Sequence, residues 1–210
     1  MFQARQPLRE GPISRMATID VDADGHALRA MKFRIFAETA RAMAVGVTNV
    51  ALGRASTGGV DLHAGDRAPE FSAPASDGLT YRLADFLGRK PIVIAWFPKA
   101  FTSGCTAECR SLTAYGARFA QTNVQIFGAS CDTPQLNAEF ASSLGLTYPI
   151  LSDPDRAMAR AYGVLAASGF ASRWTFYIAA DGRIVHIDKQ VRTSSHGGDV
   201  VDRLMELGIS

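Results

Sequence analysis

The sequence predicts an α/β fold, a central mixed sheet flanked by helices on both faces, and three observations carry that prediction. Ile92-Val93-Ile94-Ala95-Trp96-Phe97 is a short apolar run of β-branched and aromatic residues, the pattern of a buried strand, and Pro98 ends it. Val124 to Ser130 repeats the pattern, and helix-start chemistry follows each run. Asp77-Gly78 and Asp181-Gly182 mark hairpin turns, because both types accept the backbone conformations that tight turns demand. Strand, helix, strand, helix, hairpin and final helix give a sheet covered on both sides, with the first helix starting at a strand's carboxyl end.

Residues 1 to about 28 mix charge, Gly and Pro without sustained periodicity, so a flexible start is expected. From there Phe33, Phe36, Ala40, Met43, Val47 and Val50 recur at steps of three and four, while Lys32, Arg34, Glu38, Arg41 and Asn49 fall elsewhere. This predicts an amphipathic helix over about residues 30–52, too short for a coiled coil and expected to dock on its own domain. An oligomer contact and a membrane-surface or targeting helix are the alternatives. Arg54 to Gly59 has the composition of a linker, which divides the chain into an N-terminal extension, 1–59, and a main domain, 60–210.

Within the main domain, Tyr81 to Phe86 leads through a short helix to Gly88. Past the first buried strand, Phe101-Thr102-Ser103-Gly104 carries turn and cap chemistry, and Cys105 to Leu112 reads as the first turns of a helix. After the second strand, Asp132 or Thr133 can cap a helix that has Pro134 at its first position and runs to about Leu144. Pro154 to Tyr162 reads as a helix stopped by Gly163. Trp174 to Ala179 and Ile184 to Ile187 form the late hairpin, and Asp199 to Leu207 a final amphipathic helix.

The chemistry concentrates in Pro98 to Cys109, which holds two of the three cysteines. A thiol in a helix first turn meets unpaired backbone N–H groups and the positive end of the helix dipole, both of which favour an anion. With a reference pKa near 8.5 only about 3 per cent of a free cysteine is thiolate at pH 7, so a lowered value converts a weak nucleophile into a strong one. Cys105 is therefore the candidate nucleophile.

Pro98-x-x-x-Thr102-x-x-Cys105 resembles the active-site motif of peroxiredoxins, and Phe97-Pro98-Lys99-Ala100 with Thr102-x-Gly104-Cys105-Thr106 is especially similar to the peroxiredoxin Q, or bacterioferritin-comigratory, branch. Val60 to Phe71, with its Gly65-x-x-Ala68-Pro69-x-Phe71 run, resembles the opening of redoxin domains, so the resemblance covers about residues 60 to 210. It implies a thioredoxin-like fold, in which Pro149 to Asp153 supplies a further strand end, and a thiol-dependent peroxidase acting on hydrogen peroxide or an organic hydroperoxide. In that reaction Cys105 attacks a peroxide oxygen, Thr102 holds the peroxide in line, and Pro98 walls the thiolate from water. Arg173 fits the family's distant arginine, whose fixed charge stabilises the thiolate and the departing oxyanion. Glu108 stands where the family commonly pairs a glutamate with that arginine, and Arg110 is a possible second member of the network. The sulfenic acid formed on Cys105 then condenses with a thiol and is reduced by a dithiol such as thioredoxin.

The resolving thiol is left open. Relatives of this branch usually place it five residues after the nucleophile, where this chain has Arg110; Cys109 stands one residue earlier. Four residues along a helix is a rise of about 6 Å, within disulfide range, but parallel Cβ vectors deny the bond its torsion unless the first turn unwinds. Cys109 is thus either the resolver or a buried structural thiol of a one-cysteine enzyme. Cys131, at a strand end, reads as a core residue and a second candidate. Lys99 reads as a surface residue, and Trp96 and Phe101 as packing or pocket wall.

Composition excludes several classes. A net charge of +2 over 210 residues gives no footprint for nucleic acid, although residues 1–60 carry +3 and the remainder −1. An odd cysteine count argues against a secreted disulfide scaffold and for a reducing, cytoplasmic location. No apolar run reaches the length of about 18 residues that a membrane span needs, and MFQARQPLREGP lacks the apolar core of a secretory signal. The histidines at 26, 63, 186 and 196 are scattered without metal-ligand spacing, and no phosphate-binding glycine loop is present, so neither metal nor cofactor is expected. A monomer or homodimer is expected. Two rival functions remain: disulfide exchange with protein partners, which needs only the two nearby cysteines, and non-catalytic redox sensing through the N-terminal helix.

Overall fold

In the computed structural model, which describes residues 60–209, the run after Pro91 becomes the middle strand of a five-stranded sheet. In chain order the elements are β1 (Ser72–Pro74), β2 (Thr80–Arg82), a 3-10 turn (Leu83–Asp85), β3 (Ile92–Trp96), α1 (Ser103–Ala114), α2 (Gly116–Phe119) and β4 (Gln125–Ser130). They continue with α3 (Pro134–Leu144), β5 (Ile150–Ser152), α4 (Ala157–Ala161), β6 (Thr175–Ile178), β7 (Ile184–Asp188) and α5 (His196–Glu206). The expected amphipathic helix over about 30–52, with its flexible start and linker, lies outside the described residues.

The sheet runs β5-β4-β3-β6-β7, and β1-β2 form a separate hairpin around Asp77-Gly78. β3, β4 and β5 are parallel, while β6 runs antiparallel to β3 and β7 antiparallel to β6, so the sheet is mixed, as predicted. β3 is buried along its whole length because helices cover both faces. Ile92, Ile94 and Trp96 pack on one side with Phe127, Phe176, Met158 and Tyr162; Val93 and Ala95 pack on the other with Tyr177, Leu112 of α1 and Val200 and Leu204 of α5. The period of two in the strand thus feeds two cores.

This topology brings three chain segments to one edge. Parallel β3 and β4 end together, and antiparallel β6 begins where β3 ends. Trp96 N donates to Trp174 O at 2.9 Å, and Phe97 N to Ala129 O at 2.9 Å. The loop after β3, the turn after β4 and the residues before β6 therefore converge.

Two helix boundaries differ from expectation. α4 starts at Ala157 rather than Pro154, because the Asp153 carboxylate accepts from Met158 N at 3.1 Å and Ala159 N at 2.7 Å and so fixes a later start; Gly163, at φ +68°, closes it. α5 starts at His196, three residues ahead of Asp199, and its first turn presses directly on α1. A Cβ on Gly197 would stand 2.2 Å from Ser111 O, and Gly197 N donates to Ser111 Oγ at 3.0 Å. Elsewhere the prediction holds closely: Thr133 caps α3 by accepting from Leu136 N at 3.3 Å, with Pro134 first and Gly145 in the left-handed conformation at the end.

Alanine is the better helix former than glycine by about 1 kcal/mol, but at position 197 its methyl would meet backbone. Gly197→Ala should therefore destabilise the fold by about 1–3 kcal/mol, read as a lower urea midpoint with an unchanged slope.

Candidate active site

The loop between β3 and α1 is built on a buried ion pair. Lys99 is 6% exposed, not at the surface as its type suggested, and its Nζ stands 2.5 Å from Asp132 Oδ1. The other oxygen of Asp132 accepts from Ala100 N at 2.8 Å, and Asp132 N donates to Ser130 Oγ at 3.2 Å. The carboxylate at the end of β4 thus grips the loop at the end of β3 by both a side chain and the main chain. Its charge is what allows an ammonium group to be buried there. Behind it, Ser130 Oγ donates to Asn137 Oδ1 at 3.1 Å and Asn137 Nδ2 to Ser152 Oγ at 2.8 Å, which ties the turn to α3 and β5.

Pro98 is half-buried at the head of this loop and Thr102 is exposed at its foot. Phe101 adopts φ +63°, a conformation a bulky side chain rarely takes, and its ring packs 5.0 Å from that of Phe140. The bend lets Thr102 serve as the N-cap residue of α1, yet its hydroxyl donates back to Lys99 O at 3.0 Å instead of capping the helix. Cys105 follows as the third residue of α1, 1% exposed.

Arg173, just ahead of β6, reaches over the start of α1. Its Nη2 lies 3.3 Å from Cys105 Sγ, and its Nη1 donates to Glu108 Oε2. One planar guanidinium therefore spans a sulfur and a carboxylate one turn apart on the same helix face, a geometry that fork-shaped Arg can make and Lys cannot. Gly104 lies directly beside the guanidinium, where a Cβ would stand in ordinary contact at 3.5 Å from Nη2. Glu108 is 1% exposed, so it is a buried partner rather than a solvated helix charge. Its second oxygen, Oε1, lies 3.1 Å from His196 Nδ1, and His196 Nε2 lies 2.9 Å from Thr175 Oγ1. Arg110 is exposed and takes no part in this network.

The two other thiols are held protonated. Burial pushes Cys109 up to about 12, and its carbonyl accepts from Tyr148 OH at 3.3 Å. Cys131 is half-buried beside the core, and burial, then Asp153, raises it to about 12 as well. All three cysteines are free thiols. Cavities of about 340 Å³, between β1 and the start of α4, and about 450 Å³, between α2 and α5, both lie away from Cys105.

The site thus gathers Pro98, Thr102, Cys105, Glu108 and Arg173 at one edge of the sheet, with Cys109 one turn deeper in the same helix. Asp132 and His196, like their partners Lys99 and Thr175, are absent from the expected set. Asp132 was readable only as a helix cap, and a parallel-strand topology is needed to see that its turn faces Lys99. His196 had no signal beyond the two glycines that follow it.

The AhpC/TSA family model matches residues 64–187. Peroxiredoxin Bcp of Escherichia coli (strain K12) is 34% identical over 152 residues, covering 69% of this chain and 97% of that protein. Among solved structures, peroxidoxin BcpB from Mycobacterium tuberculosis is 26% identical, with a TM-score of 0.63, over 70% of this chain and 98% of its own. The bacterioferritin comigratory protein of Xanthomonas campestris, whose structures concern its alkyl peroxide reduction activity, is 26% identical, with a TM-score of 0.61, over 65% of this chain and 90% of that one.

Asp132→Asn keeps a hydrogen-bond acceptor for Ala100 N but removes the charge opposite Lys99. It should lower folding stability by on the order of 3 kcal/mol, as breaking one side of a buried pair does. Asp132→Leu with Lys99→Met should recover part of that loss in the same urea titration.

Proposed function

The chain belongs to the AhpC/TSA family, and we propose that its reaction runs through Cys105 as peroxidatic nucleophile, with Pro98, Thr102, Arg173 and Glu108 as its surroundings. It is a thiol-dependent peroxidase of the peroxiredoxin kind, an oxidoreductase. The observation that carries the residue assignment is the Arg173 guanidinium shared between Cys105 Sγ at 3.3 Å and the buried Glu108.

The Cys105 thiolate attacks one peroxide oxygen, the O–O bond breaks, and its electron pair leaves with the second oxygen as hydroxide or alkoxide, which takes up a proton. Sulfur is oxidised by two electrons to the sulfenic acid. Arg173 stabilises anionic sulfur before the step and the leaving oxygen during it. Thr102 aligns the peroxide, and Pro98 limits water at the sulfur. The sulfenic acid then condenses with Cys109 to a disulfide, releasing water, after the first turns of α1 unwind. Unwinding also removes the burial that keeps Cys109 protonated at about 12, so the thiol becomes reactive only once it is exposed. Cys131 is the second choice for this role. An external dithiol of the thioredoxin kind returns both sulfurs to thiols by two exchanges.

The substrates are hydrogen peroxide or organic hydroperoxides, a reading that the alkyl peroxide activity of the Xanthomonas campestris relative supports. The proposed setting is cytoplasmic, as a monomer or homodimer, with residues 60–210 as the catalytic domain and residues 1–59 as an extension. Among the described residues no helix is long and apolar enough to cross a membrane. Disulfide exchange with protein partners is the weaker reading, because it leaves the guanidinium fork and Thr102 without a task.

Cys105→Ser should abolish peroxide consumption, and Arg173→Lys should slow Cys105 oxidation by about a hundredfold, the loss typical of one oxyanion-stabilising donor. Intact mass and peptide mapping after one equivalent of hydrogen peroxide should find a Cys105–Cys109 linkage. A Cys105 sulfenic acid with Cys109 still free would remove Cys109 from the cycle.

A further inference from the structure

Glu108 uses only one of its two oxygens to hold Arg173. The other, Oε1, faces His196 Nδ1 at 3.1 Å but off the line of a hydrogen bond, and neither atom has another hydrogen-bond partner. Two buried polar atoms without partners, one a carboxylate oxygen and the other a ring nitrogen, are a costly pair to leave unmade, and each is the kind of partner the other lacks. On the far side of the ring Nε2 stands 2.9 Å from Thr175 Oγ1. Thr175 is the first residue of β6, two positions after Arg173. The contacts therefore close a ring: from the Cys105 sulfur to Arg173, to Glu108, to His196, to Thr175, and back along the main chain to Arg173.

The polarity of that ring is consistent at every joint. Burial holds the His196 imidazole neutral, down to about 4, although Asp188 and Asp199 pull the other way. A neutral imidazole has one donor and one acceptor. Donation from Nδ1 toward a carboxylate that Arg173 already compensates, with acceptance at Nε2 from the Thr175 hydroxyl, uses each group in its natural sense. The chain also takes specific steps to deliver this residue. His196 opens α5, and the glycines after it let that helix touch α1: a Cβ on Gly198 would stand 3.0 Å from Tyr115 Oη, and one on Gly197 would overlap the Ser111 carbonyl.

We propose that His196 is a positioning residue for peroxide reduction: by engaging Glu108 Oε1 from the N-terminus of α5, it stops the carboxylate from pivoting and so fixes the guanidinium plane against the Cys105 sulfur. A free Glu108 could turn about its terminal bond and draw Arg173 with it. Held from both sides, the carboxylate leaves the fork one orientation, with Nη1 on oxygen and Nη2 on sulfur. The role rests on Cys105 and Arg173 acting as described above, and it concerns the step in which sulfur is oxidised, not the later disulfide step.

The test measures the second-order rate of Cys105 oxidation by hydrogen peroxide in single turnovers of the full chain, beside thermal unfolding of each variant. His196→Leu should slow oxidation by about tenfold or more, the scale of a lost hydrogen bond to a charged group. His196→Asn, whose amide nitrogen occupies the place of Nδ1, should regain most of the rate, and His196→Gln, which reaches toward Thr175 instead, should not. In a Glu108→Gln background His196→Leu should add less than about a twofold loss, because the residue it acts through is already altered. Equal rates for the Asn and Gln variants, a wild-type rate for His196→Leu, or an undiminished Leu effect in the Glu108→Gln background would each overturn the proposal. Should His196→Leu fail to fold, the contrast between Asn and Gln decides alone. If the unaltered chain does not oxidise Cys105, it is the assignment of the nucleophile that fails, a result distinguishable from wild-type rates in the His196 variants.

Discussion

A carboxylate enters an apolar interior only when its charge is compensated, and Glu108, 1% exposed on the first turns of α1, meets that condition with the half-buried Arg173. The pair has consequences in both directions. Toward the sheet, it locks the N-terminal part of α1 against the start of β6; toward the thiol, it leaves the second arm of the fork 3.3 Å from Cys105 Sγ. A lone arginine beside a lone cysteine would be free to swing into solvent. Anchored on a carboxylate that cannot leave, it presents its charge where the proposed reaction forms an anion, without reorganising at that moment.

The strand order makes that meeting possible. Parallel β3 and β4 end at one edge, and antiparallel β6 starts there, so residues nearly seventy positions apart face each other as a matter of topology. The same edge carries a second buried pair, Lys99 with Asp132, which holds the loop instead of the thiol. Two ion pairs thus divide the work. One holds the loop that leads to Thr102, and the other sets the charge beside the sulfur. Neither is compelling as a source of net stability, since desolvation offsets most of what such pairs gain, and their value lies in the single geometry they enforce.

How far the sequence reveals this depends on whether a feature is local. β3, β4, α1, α3 and the two hairpins follow from apolar runs, caps and turn residues within a few positions of each other, and all are present. The motif from Pro98 to Cys105 is equally local, and Arg173 could be named from its order in the chain. Lys99 shows the opposite case: a lysine in a polar loop reads as exposed, and only the β4 turn, thirty-three residues on, gives it a buried counter-charge. His196 is a stronger example, because its neighbours lie on α1 and β6 and nothing in its own segment, His-Gly-Gly, points to them. The early boundary of α5 has the same origin. Glycine lowers helix propensity, but here its missing side chain is what lets the first turn pack on Ser111.

The same contacts place opposing demands on α1 in the proposed cycle. Peroxide reduction needs the helix wound, with Cys105 under Arg173; disulfide formation with Cys109 needs the first turns open. Glu108 lies between the two cysteines, so opening that far breaks its hold on Arg173. The second half of the helix is better tied, through Ser111 to Gly197 and through the Cys109 carbonyl to Tyr148. Oxidation itself shifts this balance. A thiolate is an anion that Arg173 stabilises, whereas a sulfenic acid is neutral, so the step that creates the need for unwinding also removes part of what holds the helix shut. Cys109, raised to about 12 while buried, stays inert until that happens. In the proposed cycle its thiol then loses the burial that silenced it and meets the oxidised sulfur as an exposed, more readily ionised nucleophile, which makes the order of the two proposed steps follow from when each sulfur reaches solvent.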